Sequence, residues 1–308
     1  MFVLYSQKAE CDPSSTRPCC NEQTGECGNG KEYCNCIPHC TDYNHIIQPE
    51  FANWIETYQP ITNYTMEFTC KFLQDTFSEI TFIGDSLVRH LFSAFLIHLT
   101  NDTQYGALKH TLSRDELHEC QDEKQFFERK CRTLLELSWK DIRKNPKYCP
   151  GISRPVELNF KSSSNAGSVT EVLKNINLTI HKHHSKTPLF IVGIGIHDQF
   201  KFETIWYRYV LPIIKLIHSS LDPLKKPKFI WLSSHANYFF LNRQSSSRAF
   251  ELNQKMRENL KLYNIPIMDN FRLTHNIFSF DGTHFGRALN GMKCKLLIKT
   301  LRFLWNEL

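Results

Sequence analysis

Alternating strand and helix patterns over most of this 308-residue chain predict a three-layer α/β domain on a parallel sheet, preceded by a small disulfide-rich module. Three observations carry that prediction. Residues 189–194 form an unbroken apolar run, as expected of a parallel strand covered on both faces. Segments with helical spacing separate it from further short apolar runs on either side. Seven of the twelve cysteines fall between Cys11 and Cys40, among Gly, Asn and Pro with almost no aliphatic residues. Such a stretch cannot build a hydrophobic core and needs bridges. The boundaries read as 10–43 for the module and 44–308 for the main domain.

In chain order, Cys11, Cys19, Cys20, Cys27, Cys34, Cys36 and Cys40 leave one thiol over in the module, which predicts a bond to the main domain, with Cys70 the nearest candidate. Paired-Cys spacing with His partners is missing, so bridges are favoured over zinc. Aromatics Phe51, Trp54, Tyr58, Tyr64 and Phe68 in 44–78 are expected to pack onto the domain. Residues 80–83 read as a buried strand, broken by Gly84-Asp85-Ser86. Leu87, Leu91, Phe95 and Leu99 then line one face of a helix. The polar stretch 101–155, with Cys120, Cys131 and Cys149, reads as an insertion tied by bridges; Cys294 is assigned to a bridge as well. A strand end and loop at 160–167 lead into a helix reaching about 184. After the 189–194 strand come a helix at 202–219, a strand at 229–233, a helix at 247–262, a short strand at 265–268 and a closing helix at 286–306.

A net charge of +6 is spread without a dense basic run, and Lys225, Lys226 and Lys228 sit around Pro227 as in a loop, which argues against nucleic-acid binding. The longest apolar runs, 91–99 and 189–196, are too short to span a membrane. The cysteine content points to an oxidising compartment. Sequons at Asn63, Asn101 and Asn177 agree with it. The expectation is a secreted or lumenal protein whose signal or anchor segment is absent from this chain. No metal or cofactor is expected; His181-Lys182-His183-His184 is the one candidate metal cluster, and a solvent-facing helix end accounts for it.

Strand, Gly turn and helix place Ser86 at the carboxyl end of a strand and the amino end of a helix, where the dipole and free N–H groups favour an oxyanion. A serine there is a nucleophile if a base reaches it, and otherwise an N-terminal capping residue. Asp281-Gly282-Thr283-His284 supplies base and acid together, with the carboxylate folding back onto the imidazole. Asp42–His45 and Asp115–His118 share the spacing, but only Asp281–His284 follows the last strand and opens the final helix. Gly195-Ile196-His197-Asp198 follows a strand at the same sheet edge. There Gly195 can bring an N–H close to a ligand and His197 can donate from its ring; a structural histidine capping the loop is the equal alternative. Residues 231–235 end a strand at the same edge and are expected to line the pocket.

Two resemblances follow from these residues. The stretch 19–34, with Cys19-Cys20, Cys27-Gly28 and Tyr33-Cys34, resembles the hevein-type chitin-binding module. Its sugar-stacking aromatics are here Thr24 and Glu26, so the resemblance implies a structural knob. Gly84-Asp85-Ser86, the Gly195-x-His197-Asp198 element and Asp281-x-x-His284 together resemble the SGNH (GDSL-type) hydrolases over about 78–308. Arg89, three residues after the serine, is similar to the Arg of the PC-esterase branch. The resemblance implies a flavodoxin-like α/β/α fold, Ser86 as nucleophile, His284 as base and Asp281 as its orienting acid. It further implies an oxyanion hole from the Ser86 and glycine N–H groups, with His197 where that family has Asn and Gly167 as candidate second glycine. The implied activity is hydrolysis of O-acyl esters, in the first place O-acetyl esters, on carbohydrate. The rivals are a glycan O-acetyltransferase on the same triad and a non-catalytic glycan-binding protein on the same fold. Which sugar, and which oligomeric state, the residues leave open.

Overall fold

A computed structural model describes residues 19–21, 26–28, 55–56, 59–60, 63–182, 186–219, 226–236, 244–275, 277 and 279–305. Within the N-terminal part, backbone ladders pair Cys19–Asn21 with Glu26–Gly28 and Ile55–Glu56 with Gln59–Pro60, both antiparallel. The expected knob at 10–43 and the aromatics Phe51, Trp54 and Tyr58 otherwise lie outside the described residues, as do His183 and His184.

The main domain is a five-stranded parallel sheet. Its strands are β1 (Phe77–Gly84), β2 (Glu157–Ser162), β3 (Thr187–Gly193), β4 (Lys228–Leu232) and β5 (Ile267–Met268), in the order β2-β1-β3-β4-β5. That order is the flavodoxin-like one, and it reverses direction between β1 and β3, where a crevice opens at the strands' carboxyl ends. Six principal helices cover the sheet: α1 (Met66–Thr76), α2 (Ser86–Thr100), α3 (Val169–His181), α4 (202–218), α5 (Gln244–Lys261) and α6 (Arg287–Trp305). Helix α4 passes through a π-helical turn at Trp206–Val210.

Strand side chains alternate between two cores, which is what makes three layers. Ile80, Phe82, Leu189, Ile191, Ile230 and Leu232 point to one face and pack with α1, α2 and α6. Ile83, Phe190, Val192, Phe229 and Trp231 point to the other and pack with α3, α4 and α5. Strand β1 is interior to the sheet and almost wholly buried, hence its largely apolar character. It extends beyond the 80–83 core legible from its β-branched residues by four residues: Phe77 is apolar, but Ser78, Glu79 and Gly84 hide the ends of the run. The strand at 265–268 shortens to Ile267–Met268, its Pro266 contributing a carbonyl to Trp231 N–H instead of an amide.

Cysteine pairing differs from expectation. Cys70 bonds Cys149, tying α1 to the insertion and not to the N-terminal module, and Cys120 bonds Cys131 inside the insertion. Cys294 is a free, buried thiol on α6, packed as an apolar residue. Phe68 is exposed where packing was expected; it stacks on Tyr64 and under the Arg302 guanidinium. The insertion is organised around Glu136, a fully buried carboxylate that accepts from the His110 N–H at 3.1 Å, His110 Nδ1 at 2.9 Å and Asn145 Nδ2 at 3.1 Å. No helix among the described residues is long and apolar enough to cross a membrane.

Candidate active site

Close approach of two strands seats the serine. Gly84 pairs with Gly193 across β1 and β3, and a Cβ at Gly84 would collide with the Gly193 carbonyl oxygen and with Val88. The chain turns at once into α2, capped by Asp85, whose carboxylate accepts from Leu87 N–H at 2.9 Å. Burial raises the Asp85 pKa against the pull of that hydrogen bond and of His197 and His284 nearby. With Asp85 as cap, Ser86 becomes the first helical residue, so its N–H has no helical acceptor and its Oγ stands at the switch point.

The three residues predicted as a triad lie within hydrogen-bond reach of one another. Ser86 Oγ lies 2.7 Å from His284 Nε2, and His284 Nδ1 lies 2.7 Å from Asp281 Oδ2. With the imidazole neutral and its proton on Nδ1, that N–H donates to the carboxylate and the serine hydroxyl donates to Nε2. Asp281 Oδ1 accepts the backbone N–H groups of Thr283 at 3.0 Å and His284 at 2.8 Å, closing a tight turn through Gly282 at φ 82°. Partial burial alone would raise the Asp281 pKa, but the hydrogen bonds from the His284 side chain and from the two amides outweigh it and hold the carboxyl below its usual range. Phe285, fully buried, anchors the turn in a small cluster with Ile277 and Leu289. The decoy Asp115–His118 lies on the insertion's Arg114–Cys120 helix, where His118 faces Gln121.

The remaining sequence candidates divide. Gly195 lies in the crevice wall, and a Cβ there would collide with Ser234 Oγ. His197 is exposed on the turn Ile196–Asp198, yet close enough to Asp85 for its charge to act on that carboxyl. Asp198 Oδ2 accepts the Ala166 N–H at 2.9 Å, pinning the loop after β2 to the loop after β3. Gly167 does not fit its expected role: its N–H is given to Asn165 Oδ1 at 2.9 Å in an Asx turn, so it faces the loop's own side chain. Ser163 N–H bonds the Gly84 carbonyl at 2.8 Å, which brings this loop to the serine's doorstep. Arg89 is half-buried one helical turn beyond Ser86.

Of residues 231–235, Trp231 points away into the core on the other face of the sheet, whereas Leu232 to His235 line the crevice, which reaches from Asp85 and Gly193 to Ser234, His235 and Lys293. Three buried groups around it escaped the sequence. The His90 ring packs 5.0 Å from His284, tilted by 39°, and 5.8 Å from Phe126 of the insertion. The position i+4 from Ser86 was the available clue. His235 packs on Phe285, and Lys293 places Nζ 4.8 Å from the same ring and 3.4 Å from Asn290 Oδ1. Burial drives the pKa values of His90, His235 and Lys293 well down, which disfavours charge in this layer behind His284. Among the described residues no cluster of three or more His, Cys, Asp or Glu side chains offers a metal site.

No family model matches this chain, and no curated protein matches it. Solved structures with which it aligns include a lipolytic protein of the G-D-S-L family from Veillonella parvula, with 13% identity and a TM-score of 0.40 over 73% of this chain and 98% of that one. A carbohydrate acetylesterase from Sinorhizobium meliloti aligns at 12% identity and a TM-score of 0.39, over 74% of this chain and 99% of that one. A variant acetyl xylan esterase from Geobacillus stearothermophilus aligns at 10% identity and a TM-score of 0.41, over 74% and 96% of the respective chains.

Proposed function

We propose that this protein is a serine esterase of the SGNH type, nearest its PC-esterase branch, that removes O-acyl groups, in the first place O-acetyl, from carbohydrate in the secretory pathway or outside the cell. The observation that carries the reading is the unbroken chain Ser86 Oγ, His284 Nε2, His284 Nδ1, Asp281 Oδ2, with both links at 2.7 Å. Buried bridges Cys70–Cys149 and Cys120–Cys131 support the oxidising compartment.

In this mechanism His284 Nε2 takes the hydroxyl proton as Ser86 Oγ attacks the ester carbonyl, and Asp281 stabilises the imidazolium on the far side. Negative charge gathers on the former carbonyl oxygen, next to the N–H of Ser86 and that of Gly195, with His197 beside them. His284 then returns its proton to the departing sugar oxygen, leaving an acyl-serine that water hydrolyses by the same route in reverse. With the Gly167 amide taken, the amides on that loop without an acceptor among the described residues are those of Ser164 and Asn165, and these are the candidates for a further donor.

The test is turnover of a chromogenic acetyl ester by the wild type and by Ser86→Ala prepared in the same way. Loss of the nucleophile is expected to lower kcat by roughly 10⁴-fold or more, leaving only what binding and the oxyanion donors supply. Equal rates in the two proteins exclude the esterase mechanism.

A further inference from the structure

We propose that Arg89 and Arg132 form an anion subsite beside the triad, so that the preferred substrate is an acidic glycan whose acylated sugar, or its neighbour, carries a carboxylate or a sulfate. The inference rests on the esterase reading and specifies its substrate class.

Position comes first. Arg89 follows Ser86 by three residues on α2, so the two share a helix face. Its one side-chain hydrogen-bond contact among the described residues is to His90, with Nη2 3.4 Å from His90 Nε2, and His90 in turn packs on His284. Arg132 arrives from the insertion, on the turn Arg129–Leu134, which the Cys120–Cys131 bridge fixes and whose neighbour Phe126 packs on His90. Two guanidinium groups from separate parts of the chain thus both lie near enough to act on the buried His90 ring, which packs on His284.

Charge balance comes second. Several other cations have acids: Lys130 pairs with Glu119, Lys147 with Asp102, and Arg287 with Asp122 and Glu123. Buried Glu136 is committed to His110. Arg89 and Arg132 have no carboxylate within ion-pair distance among the described residues, and the Nε atom of each is buried without a hydrogen-bond partner. Two like charges held partly out of water, with only the buried Asp85 carboxylate acting on Arg89 from beyond ion-pair distance, are a standing cost that an anion reduces. Planar forks of this kind suit carboxylate and sulfate oxygens, which they bind in pairs. In support, burial and then the nearness of Arg132 bring the Arg89 pKa down to about 10, still protonated at neutral pH.

The experiment compares kcat/KM for three acetyl esters matched in leaving group: one on a neutral sugar, one on a uronic acid and one on a sulfated sugar. The wild type is expected to prefer at least one acidic ester over the neutral one, and Arg132→Gln to cut that preference by about tenfold or more, as loss of a charged hydrogen bond does. Arg89→Gln should cut it likewise, while Lys130→Gln, on a surface pair, keeps it. Which acidic ester shows the preference tells carboxylate from sulfate. No preference in the wild type, or one that survives both arginine substitutions, overturns the subsite. If Ser86-dependent turnover is absent altogether, the esterase reading fails first, and calorimetric titration with an oligouronate and a sulfated oligosaccharide then decides the subsite alone: binding lost in Arg132→Gln sustains it, no binding refutes it.

Discussion

The proposed nucleophile and base are seated in opposite ways. Ser86 stands where β1 meets α2, a helix with twelve of its fifteen residues buried, and its position is dictated by the core on both sides of the sheet. His284 stands on a turn whose hydrogen bonds reach only three or four residues, from Asp281 Oδ1 and Oδ2 and between Phe280 and the His284 carbonyl. Asp281 itself has 55% of its side chain exposed. The serine therefore shares the stability of the whole domain, whereas the acid–base pair depends on a local motif anchored by Phe285 and by the Phe127–Phe280 ring contact at 4.6 Å. The contrast separates folding from activity: damage at one seat costs both, damage at the other costs activity alone.

The largest effect is expected from Gly84→Val, which sets a branched side chain against the Gly193 carbonyl and Val88. Overpacking of a closed strand junction should cost about 3 kcal/mol or more, and thermal unfolding should show stability and turnover falling together. Unchanged stability would mean that β1 and β3 can part without loss, and the contrast would collapse. A smaller effect, of opposite sign, is expected behind the base. Lys293 is 1% exposed, has no acidic partner among the described residues, and its pKa is pushed well below 10.5 by burial. Between that lowered value and 10.5 the unfolded chain binds the extra proton, so this residue makes stability rise with pH across the window. Lys293→Met conserves volume and removes the amine; it should gain about 1–2 kcal/mol near neutral pH, and the gain should shrink as pH rises towards 10.5. A loss of stability, or a gain independent of pH, would show that Nζ is charged and paired in the folded protein.

What was legible in the sequence follows the same division. The sheet and its helices could be read because a parallel strand between two helical layers must be apolar throughout, as 189–194 is. The convergence of Ser86 with Asp281–His284 could be read because they lie at chain positions that a doubly wound sheet brings to one edge. Pairings decided by packing could not. Nothing local tells Cys70 that Cys149 will lie next to it, or Cys294 that no thiol will, and both depend on how the insertion folds back over α1. Gly167 drew attention as a glycine in a loop, but the Asx turn from Asn165 occupies its amide, a bond that only backbone geometry reveals. His90, His235 and Lys293 read as helix or strand-end residues until tertiary structure turned them inward.

The central claim, that Ser86 is activated through His284 by Asp281, is tested most directly by covalent labelling with a fluorophosphonate probe. Wild type and Asp281→Asn would be labelled side by side, and the modified peptide mapped by mass spectrometry. The account predicts a single adduct on Ser86, with the labelling rate lowered about 10³- to 10⁴-fold in Asp281→Asn while thermal unfolding stays where it was. An adduct on another residue, or equal labelling rates in the two proteins, would contradict it.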